Sequence, residues 1–219
     1  MFKKNLLRHD DPKRLRAYRN FERNLQDILE VGQKAGVPIL LSTVGSNLRD
    51  CSPFASLHRE DLNASERHEW ERLFQEGSTY EQTGHFEQAL LRYRDAAAID
   101  SGFAELQFRM GTCQLALGRS EPARSAFVRA RDYDALAVRA DTHINKIVMN
   151  ARPGNGLLLG VDAADVLAAQ SPKGIPGKKL FNEHVHFTAE GNFILARMIA
   201  DQVKTLLPPE ILKSQTGRW

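Results

Sequence analysis

The chain has little cysteine, little excess charge and no long hydrophobic run. Its 219 residues include two cysteines, Cys51 and Cys113. Two cysteines so far apart in sequence argue against a disulfide framework, although a single bridge stays open, and a reducing compartment is the default expectation. The net charge is +3, and Lys and Arg are interspersed with Asp and Glu. No basic stripe therefore predicts a nucleic-acid surface.

The absence of a long apolar run argues against a signal peptide and a membrane span in the sequence as written. Residues 1–8 are basic, but charge returns at Arg8 before any apolar stretch long enough for a signal peptide or a membrane span. We therefore expect the chain as written to be cytoplasmic, and the location of a longer parent protein stays open. With 42% hydrophobic and 26% charged residues, the composition is typical of a globular protein of one large or two small domains.

Two short apolar runs predict buried parallel strands. The first, residues 37–43, follows an amphipathic helix that begins at Asp11 and Pro12. The second, residues 156–162, precedes a short helical stretch at 163–169. Runs of this length, apolar at almost every position, are typical of strands that helices cover on both faces. The sequence thus predicts an α/β fold.

The middle of the chain is a helical region with an internal repeat of 34 residues. This period, with small residues at the helix crossing, is typical of tetratricopeptide (TPR) helices, whose grooves often hold a protein or peptide partner. We therefore predict an α/β segment at 1–63, a TPR-like helical insertion at 64–152 and a second α/β segment at 153–219. The equivalent residues are Phe74 and Phe108, Gly77 and Gly111, Gly84 and Gly118, Ala89 and Ala123, Tyr93 and Phe127, Ala96 and Ala130, and Asp100 and Asp134.

Two repeats need a cap, which we predict at residues 136–150, with Asp141 as a candidate N-cap for a helix over residues 142–148. Three polar residues of this stretch, Arg139, Asp141 and Asn145, have two interpretations. They serve either the helix and its surface or an active-site edge nearby.

A candidate acid and base lie three residues apart near the end of the chain. Glu183 can accept a hydrogen bond from one ring nitrogen of His186 and leave the other nitrogen free to take a proton. Thr188 is a candidate N-cap for the next helix and would keep this segment rigid. An alternative is a metal site in which His184 and His186 join Glu183 or a distant histidine, such as His58 or His143, but further ligand spacing is missing.

A second candidate loop follows the first predicted strand. Gly45 permits a tight backbone, and the side-chain amide of Asn47 can donate to a developing oxyanion. Open α/β sheets bind their ligands at this end of a strand. Glycine and asparagine are also common turn residues, so the pair alone is a weak signal.

Residues 43–54 and 180–192 together resemble the Gly-x-Asn and acid-x-x-His blocks of the SGNH/GDSL hydrolase superfamily, in particular its members with a TPR insertion. The resemblance implies a partial flavodoxin-like, three-layer parallel sheet interrupted by the helical insertion. It implies ester hydrolysis without a cofactor or metal, on substrates such as acylated sugars or lipids. His186 would be the general base, Glu183 its orienting acid, and Asn47 the oxyanion donor with help from Gly45. The family's usual acid is aspartate, one methylene shorter than Glu183.

The family's nucleophile block, Gly-Asp-Ser, and its second oxyanion block are absent from this sequence. A sheet of only two strands would also leave long open edges. We therefore expect the chain to be the C-terminal portion of a larger hydrolase, inactive alone, whose missing N-terminal part completes the fold. The candidate substitutes for the nucleophile are Ser42, Ser46, Ser52, Ser56 and Ser171, and Ser46 fits best because Gly45 and Asn47 flank it. The alternative function is a TPR interaction module on an inactive hydrolase-like scaffold.

Overall fold

The computed structural model describes residues 6–151, 158–208 and 210–211. These residues form a mixed α/β structure that is mostly helical and contains a small parallel sheet of two strands. None of the helices within these ranges combines the length and apolarity that a bilayer crossing requires. The elements are α1 (Pro12–Lys34), β1 (Ile39–Ser42), α2 (Ala64–Gln82), α3 (Phe86–Ile99), α4 (Ala104–Ala116), α5 (Ser120–Asp132), α6 (Thr142–Asn150), β2 (Leu158–Val161), α7 (Ala163–Ala169), a 3-10 turn (Pro172–Gly174) and α8 (Ala189–Lys204).

The two strands pair in parallel, as the apolar runs predict. Ile39 lies opposite Leu158, and Ser42 lies opposite Val161. Both strands are shorter than predicted, and residues 156–157 of the second run lie outside the described residues. All four residues of β1 are only half-buried. Because the described residues supply two strands, the flavodoxin-like three-layer sheet stays a prediction.

Three helix starts follow from single capping residues. The side chain of Asp11 accepts from the backbone N–H of Lys13 at 2.7 Å and begins α1. Asp141 caps α6 through the N–H of Ile144, and Thr188 caps α8 in the same way. These N-caps are confirmed.

The helix of the predicted cap begins at Thr142, and residues 136–140 before it are not helical. The backbone N–H of Leu136 donates to the carboxylate of Asp134 at 3.1 Å, and the N–H of Val138 donates back to Leu136. These local bonds hold an irregular segment, and α6 starts only after Asp141.

The four central helices form two hairpins with equivalent contacts. In the first, a Cβ added to Gly77 would lie 2.5 Å from the ring of Tyr93, and in the second, a Cβ added to Gly111 would lie 2.9 Å from the ring of Phe127. Glycine therefore lets each helix pair approach closely. The first hairpin and α4 enclose a core of buried residues: Trp70, Leu73, Ala89, Leu90, Tyr93, Ala96, Leu106 and Cys113.

The α/β part contacts the second hairpin directly. Leu48, after β1, and Ile175, after the 3-10 turn, are buried against Ala123 and Phe127 of α5. A separate cluster of Leu167, Leu180 and Phe181 joins α7 to the loop before α8. Cys51 and Cys113 are both free thiols, so the single disulfide left open by the sequence does not form.

Several apolar side chains of the outer helices remain exposed. Ile28 and Val31 of α1 are 64% and 68% exposed, and Phe193 of α8 is 67% exposed. In α8, only Gly191 is buried. The apolar sides of these two helices are thus incompletely covered by the described residues.

Candidate active site

A tight turn before α8 brings the predicted acid and base together. Phe181 and Phe187 form an antiparallel bridge, and their rings pack at a tilt of 36° with centroids 4.9 Å apart. The backbone N–H of Asn182 donates to the carbonyl of His186 at 2.8 Å and closes the turn. Glu183 and His186 therefore project from a loop whose two ends are fixed.

Glu183 holds His186 through two hydrogen bonds. Its Oε1 accepts from the backbone N–H and from Nδ1 of His186, each at 2.6 Å. Desolvation raises the pKa of Glu183, but hydrogen bonds from the backbone and from the His186 ring outweigh it and lower the pKa to about 2. An ionised carboxylate on Nδ1 keeps the proton there and leaves Nε2 as the acceptor. The His186 side chain is 79% exposed, so Nε2 is accessible.

A second histidine contacts the same carboxylate. Nδ1 of His184 contacts Oε2 of Glu183, and its ring packs edge-to-face with Phe54, with centroids 5.2 Å apart. The sequence presents His184 only as a metal ligand. The only feature of the sequence that could have indicated this contact is that His184 directly follows Glu183.

The metal alternative lacks a complete ligand set. Among the described residues, no three His, Cys, Asp or Glu side chains lie close enough to hold a metal ion together. His58 instead bonds to Asp100 at 2.9 Å, and His143 stacks on Tyr18. The two distant histidines are thus engaged elsewhere.

Asn47 joins the two predicted loops. Its backbone N–H donates to the carbonyl of His184 at 3.0 Å, and its Nδ2 donates to the carbonyl of Glu183 at 3.0 Å. Its Oδ1 accepts from the N–H of Asp50 at 2.9 Å. Asn47 is 2% exposed. The side chain therefore positions the two loops, and the second N–H of its amide makes no hydrogen bond among the described residues.

Gly45 lies in the same loop and packs against the acid–base segment. A Cβ added there would lie 2.5 Å from a methyl carbon of Leu167 and 3.5 Å from the ring of Phe181. Any larger residue would push these side chains away. The absence of a side chain at Gly45 thus lets the loop pack closely enough for Asn47 to contact Glu183.

Arg139 supports the Asn47 loop from the helical part. Its Nη1 donates to the carbonyls of Asn47 and Cys51, each at 3.0 Å. Its Nη2 pairs with Asp134 at 3.2 Å, and both side chains are 2% exposed. Asp134 also accepts from the N–H of Phe54 at 2.9 Å. Arg139 is therefore a positioning residue for the candidate site.

The other two polar residues of this stretch have different roles. Asn145 exchanges two hydrogen bonds with the backbone of Val44, at 2.9 and 3.0 Å, and so fixes the start of the loop that carries Asn47. Asp141 caps α6 and pairs with Arg14 and Tyr18, which makes it structural. The sequence predicts the capping role of Asp141, and it leaves Asn145 with two interpretations, on the helix surface or at an active-site edge.

None of the five candidate serines bonds to His186 among the described residues. Ser46, which fits best from the sequence, is 3% exposed and its hydroxyl has no hydrogen-bond partner there. Ser42, Ser56 and Ser171 bond to backbone groups at 2.9, 2.9 and 2.7 Å. No described serine is therefore activated by this base.

No family model matches the chain, and no curated protein or solved structure matches it at a significant level.

Proposed function

We propose that the chain supplies the acid, base and oxyanion side of a serine ester hydrolase of the SGNH/GDSL type. His186 accepts the proton of a serine hydroxyl as that oxygen attacks the ester carbonyl, and Glu183 stabilises the imidazolium. Asn47, helped by Gly45, donates to the oxyanion. The substrates are esters, such as acyl groups on sugars or lipids, and no cofactor takes part.

One observation carries this proposal, the direct bonding of the two loops. Asn47 donates to Glu183 and His184 across 136 and 137 residues of sequence, each at 3.0 Å. The Asn47 loop follows β1, and it thereby lies against the backbone of the loop that carries the carboxylate-held imidazole of His186. This juxtaposition of base and oxyanion donor is what acyl transfer from an ester requires.

We further propose that the nucleophile arrives on another parallel strand of the same fold. The edge of β1 away from β2 has no strand partner among the described residues. The residues of β1 are only half-buried, and Ile28 and Val31 of α1 are exposed, so the α/β part has apolar surface left for further elements of the sheet to bury. A strand there would extend the sheet toward the flavodoxin-like, three-layer form. The two free thiols favour a reducing compartment such as the cytoplasm.

Labelling of a serine by a fluorophosphonate probe tests the proposal. The full-length gene product is incubated with the probe and, separately, with p-nitrophenyl acetate. We expect one labelled serine and measurable hydrolysis. His186→Ala should reduce kcat/KM by about 10²- to 10⁴-fold, because the general base is lost. A matched control is His68→Ala, since His68 is an exposed histidine of α2.

Two results would contradict the proposal. One is full activity of the His186→Ala variant, and the other is absence of both labelling and hydrolysis in the full-length protein.

The alternative is a TPR module that holds a protein partner. Its supporting feature is the pair of equivalent hairpins. However, Phe108 and Leu115 of α4 pack against the cluster that contains Leu48 and Ile175. Part of the helical surface is thus occupied by the α/β part, and for this reason we rank the module second. Capture of a peptide by the chain with Asn47 and His186 both replaced by alanine would favour it.

A further inference from the structure

A cavity lies beside the loop that carries Asn47, between that loop and helices α5, α6 and α7, and charged side chains contribute to its wall. Its volume is about 380 Å³, which is within the range of small-molecule sites. Ser46 contributes to its wall from the loop, Arg124 from α5, Lys146 from α6, and Asp165 from α7. These four side chains lie outside the proposed catalytic set, and Gly45 of that set also lines the cavity.

Two basic side chains in the cavity wall make no hydrogen bond or ion pair among the described residues. Arg124 is half-buried, and its guanidinium makes no ion pair or hydrogen bond among the described residues, nor does the ammonium of Lys146. Arg131, also in the wall, is already paired with Asp132 at 2.7 Å. A half-buried guanidinium without a carboxylate is costly unless a ligand or solvent pairs with it. Two cations are therefore available to an anion.

The opposite side of the cavity offers acceptors. Asp162 and Asp165 lie in its wall at the start of α7. Oδ1 of Asp162 already accepts from the hydroxyl of Thr43 at 2.8 Å and from the N–H of Asp165 at 3.1 Å. The remaining carboxylate oxygens suit hydroxyl donors of a ligand.

Ser46 adds an independent indication of a ligand. It is 3% exposed, and its hydroxyl oxygen is buried without a hydrogen-bond partner among the described residues. Buried hydroxyls in folded proteins are nearly always hydrogen-bonded, so an unpaired one needs an explanation. A bound molecule that bonds to Ser46 would provide it.

We propose that this cavity binds a sugar-sized polyhydroxylated anion. Its carboxylate or phosphate pairs with Arg124 and Lys146, its hydroxyls donate to Asp162 and Asp165, and Ser46 completes the contact. This site does not depend on the ester-hydrolase proposal, because binding is measured without any catalytic readout.

Chemical-shift titration of the folded chain with three probes tests the site. Glucose 6-phosphate and glucuronate represent the phosphate and carboxylate forms, and glucose is the neutral control. We expect saturable shifts at Ser46, Arg124 and Lys146 with at least one anionic probe and weaker binding of glucose. Lys146→Ala, on an exposed position, should raise Kd about tenfold, since a hydrogen bond to a charged group is lost.

Further variants separate binding from folding. Arg124→Ala should raise Kd at least as much as Lys146→Ala, whereas Arg94→Ala, at an exposed arginine of α3, should leave Kd unchanged. Ser46→Ala should weaken binding without reducing the stability of the free chain, because it removes an unpaired polar group. The proposal is overturned if no probe saturates, if glucose binds as tightly as the anions, or if Lys146→Ala leaves Kd unchanged.

Discussion

The helical hairpins and the α/β part differ in how completely they bury their own apolar residues. In the hairpins, Tyr93 and Leu106 are 0% exposed, whereas Ile28 and Phe193, on the helices of the α/β part, are 64% and 67% exposed. The hairpins thus contain their own core. The α/β part has a small core around Leu167 and exposed apolar side chains outside it.

An aspartate follows each hairpin at the equivalent repeat position, and the two aspartates differ in their hydrogen-bond partners. Asp100, after the first, accepts from Nδ1 of His58 and from a guanidinium N–H of Arg8. Asp134, at the equivalent position 34 residues later, pairs with Arg139 and thereby holds the Asn47 loop. The same repeat position has a structural role in one hairpin and supports the candidate site in the other.

The largest expected effect separates these two carboxylates. Asp134→Ala should lower the free energy of unfolding by about 3–5 kcal/mol, because Arg139 would be left buried and unpaired. Asp100→Ala should cost less, about 1–3 kcal/mol, because its partner Arg8 is 17% exposed. Urea denaturation measures both values. Equal costs would mean that the buried pair at Asp134 has no special role.

The second prediction compares packing in the two regions through glycine. Gly77→Ala should destabilise by about 1–3 kcal/mol, because the new methyl group meets the rigid ring of Tyr93 at 2.5 Å. Gly45→Ala should cost less, since it meets the flexible end of Leu167. Thermal unfolding of both variants gives the order. The reverse order would contradict the tighter packing of the hairpins.

The third prediction concerns the pH dependence contributed by Glu183. Its pKa of about 2 in the folded chain lies below the ordinary value of 4.5, so its stabilising effect is present above 4.5 and is lost as pH falls toward 2. Glu183→Gln should therefore reduce stability near neutral pH and have little effect near pH 2. Glu71→Gln, at an exposed position of α2, is the control. A pH-independent difference would show that Glu183 is not held as described.

The smallest expected effect is at the exposed face of α8. Phe193→Ser should change the free energy of unfolding by less than about 0.5 kcal/mol, because the ring is 67% exposed. Leu167→Ala, at 0% exposure, should cost about 2–5 kcal/mol and serves as the comparison. Similar costs for the two would mean that the α8 face is covered after all.

Local features of the fold were predictable from the sequence, because single residues specify them. Asp11, Asp141 and Thr188 each bond to a backbone N–H two or three residues later, and all three begin helices as predicted. The bounds of α7 at 163–169 also agree with the prediction. Capping depends on neighbours in the chain, which a sequence displays directly.

Contacts between distant residues were not predictable in the same way. The composition of segment 136–140 does not show that Arg139 reaches the Asn47 loop. The bond between Asn47 and the Glu183 carbonyl spans 136 residues and uses a side chain that is equally common in turns. Such tertiary requirements override local propensity.

The hydrogen bond from the Asn47 N–H to the His184 carbonyl provides the most direct test of the meeting of the two loops. The N-to-O distance of this bond is 3.0 Å. In a deuterated, ¹⁵N,¹³C-labelled chain, the scalar coupling across it is measured between the amide nitrogen of Asn47 and the carbonyl carbon of His184. We predict a resolved coupling, together with slow exchange of the Asn47 amide. Absence of the coupling with rapid amide exchange would contradict the shared site.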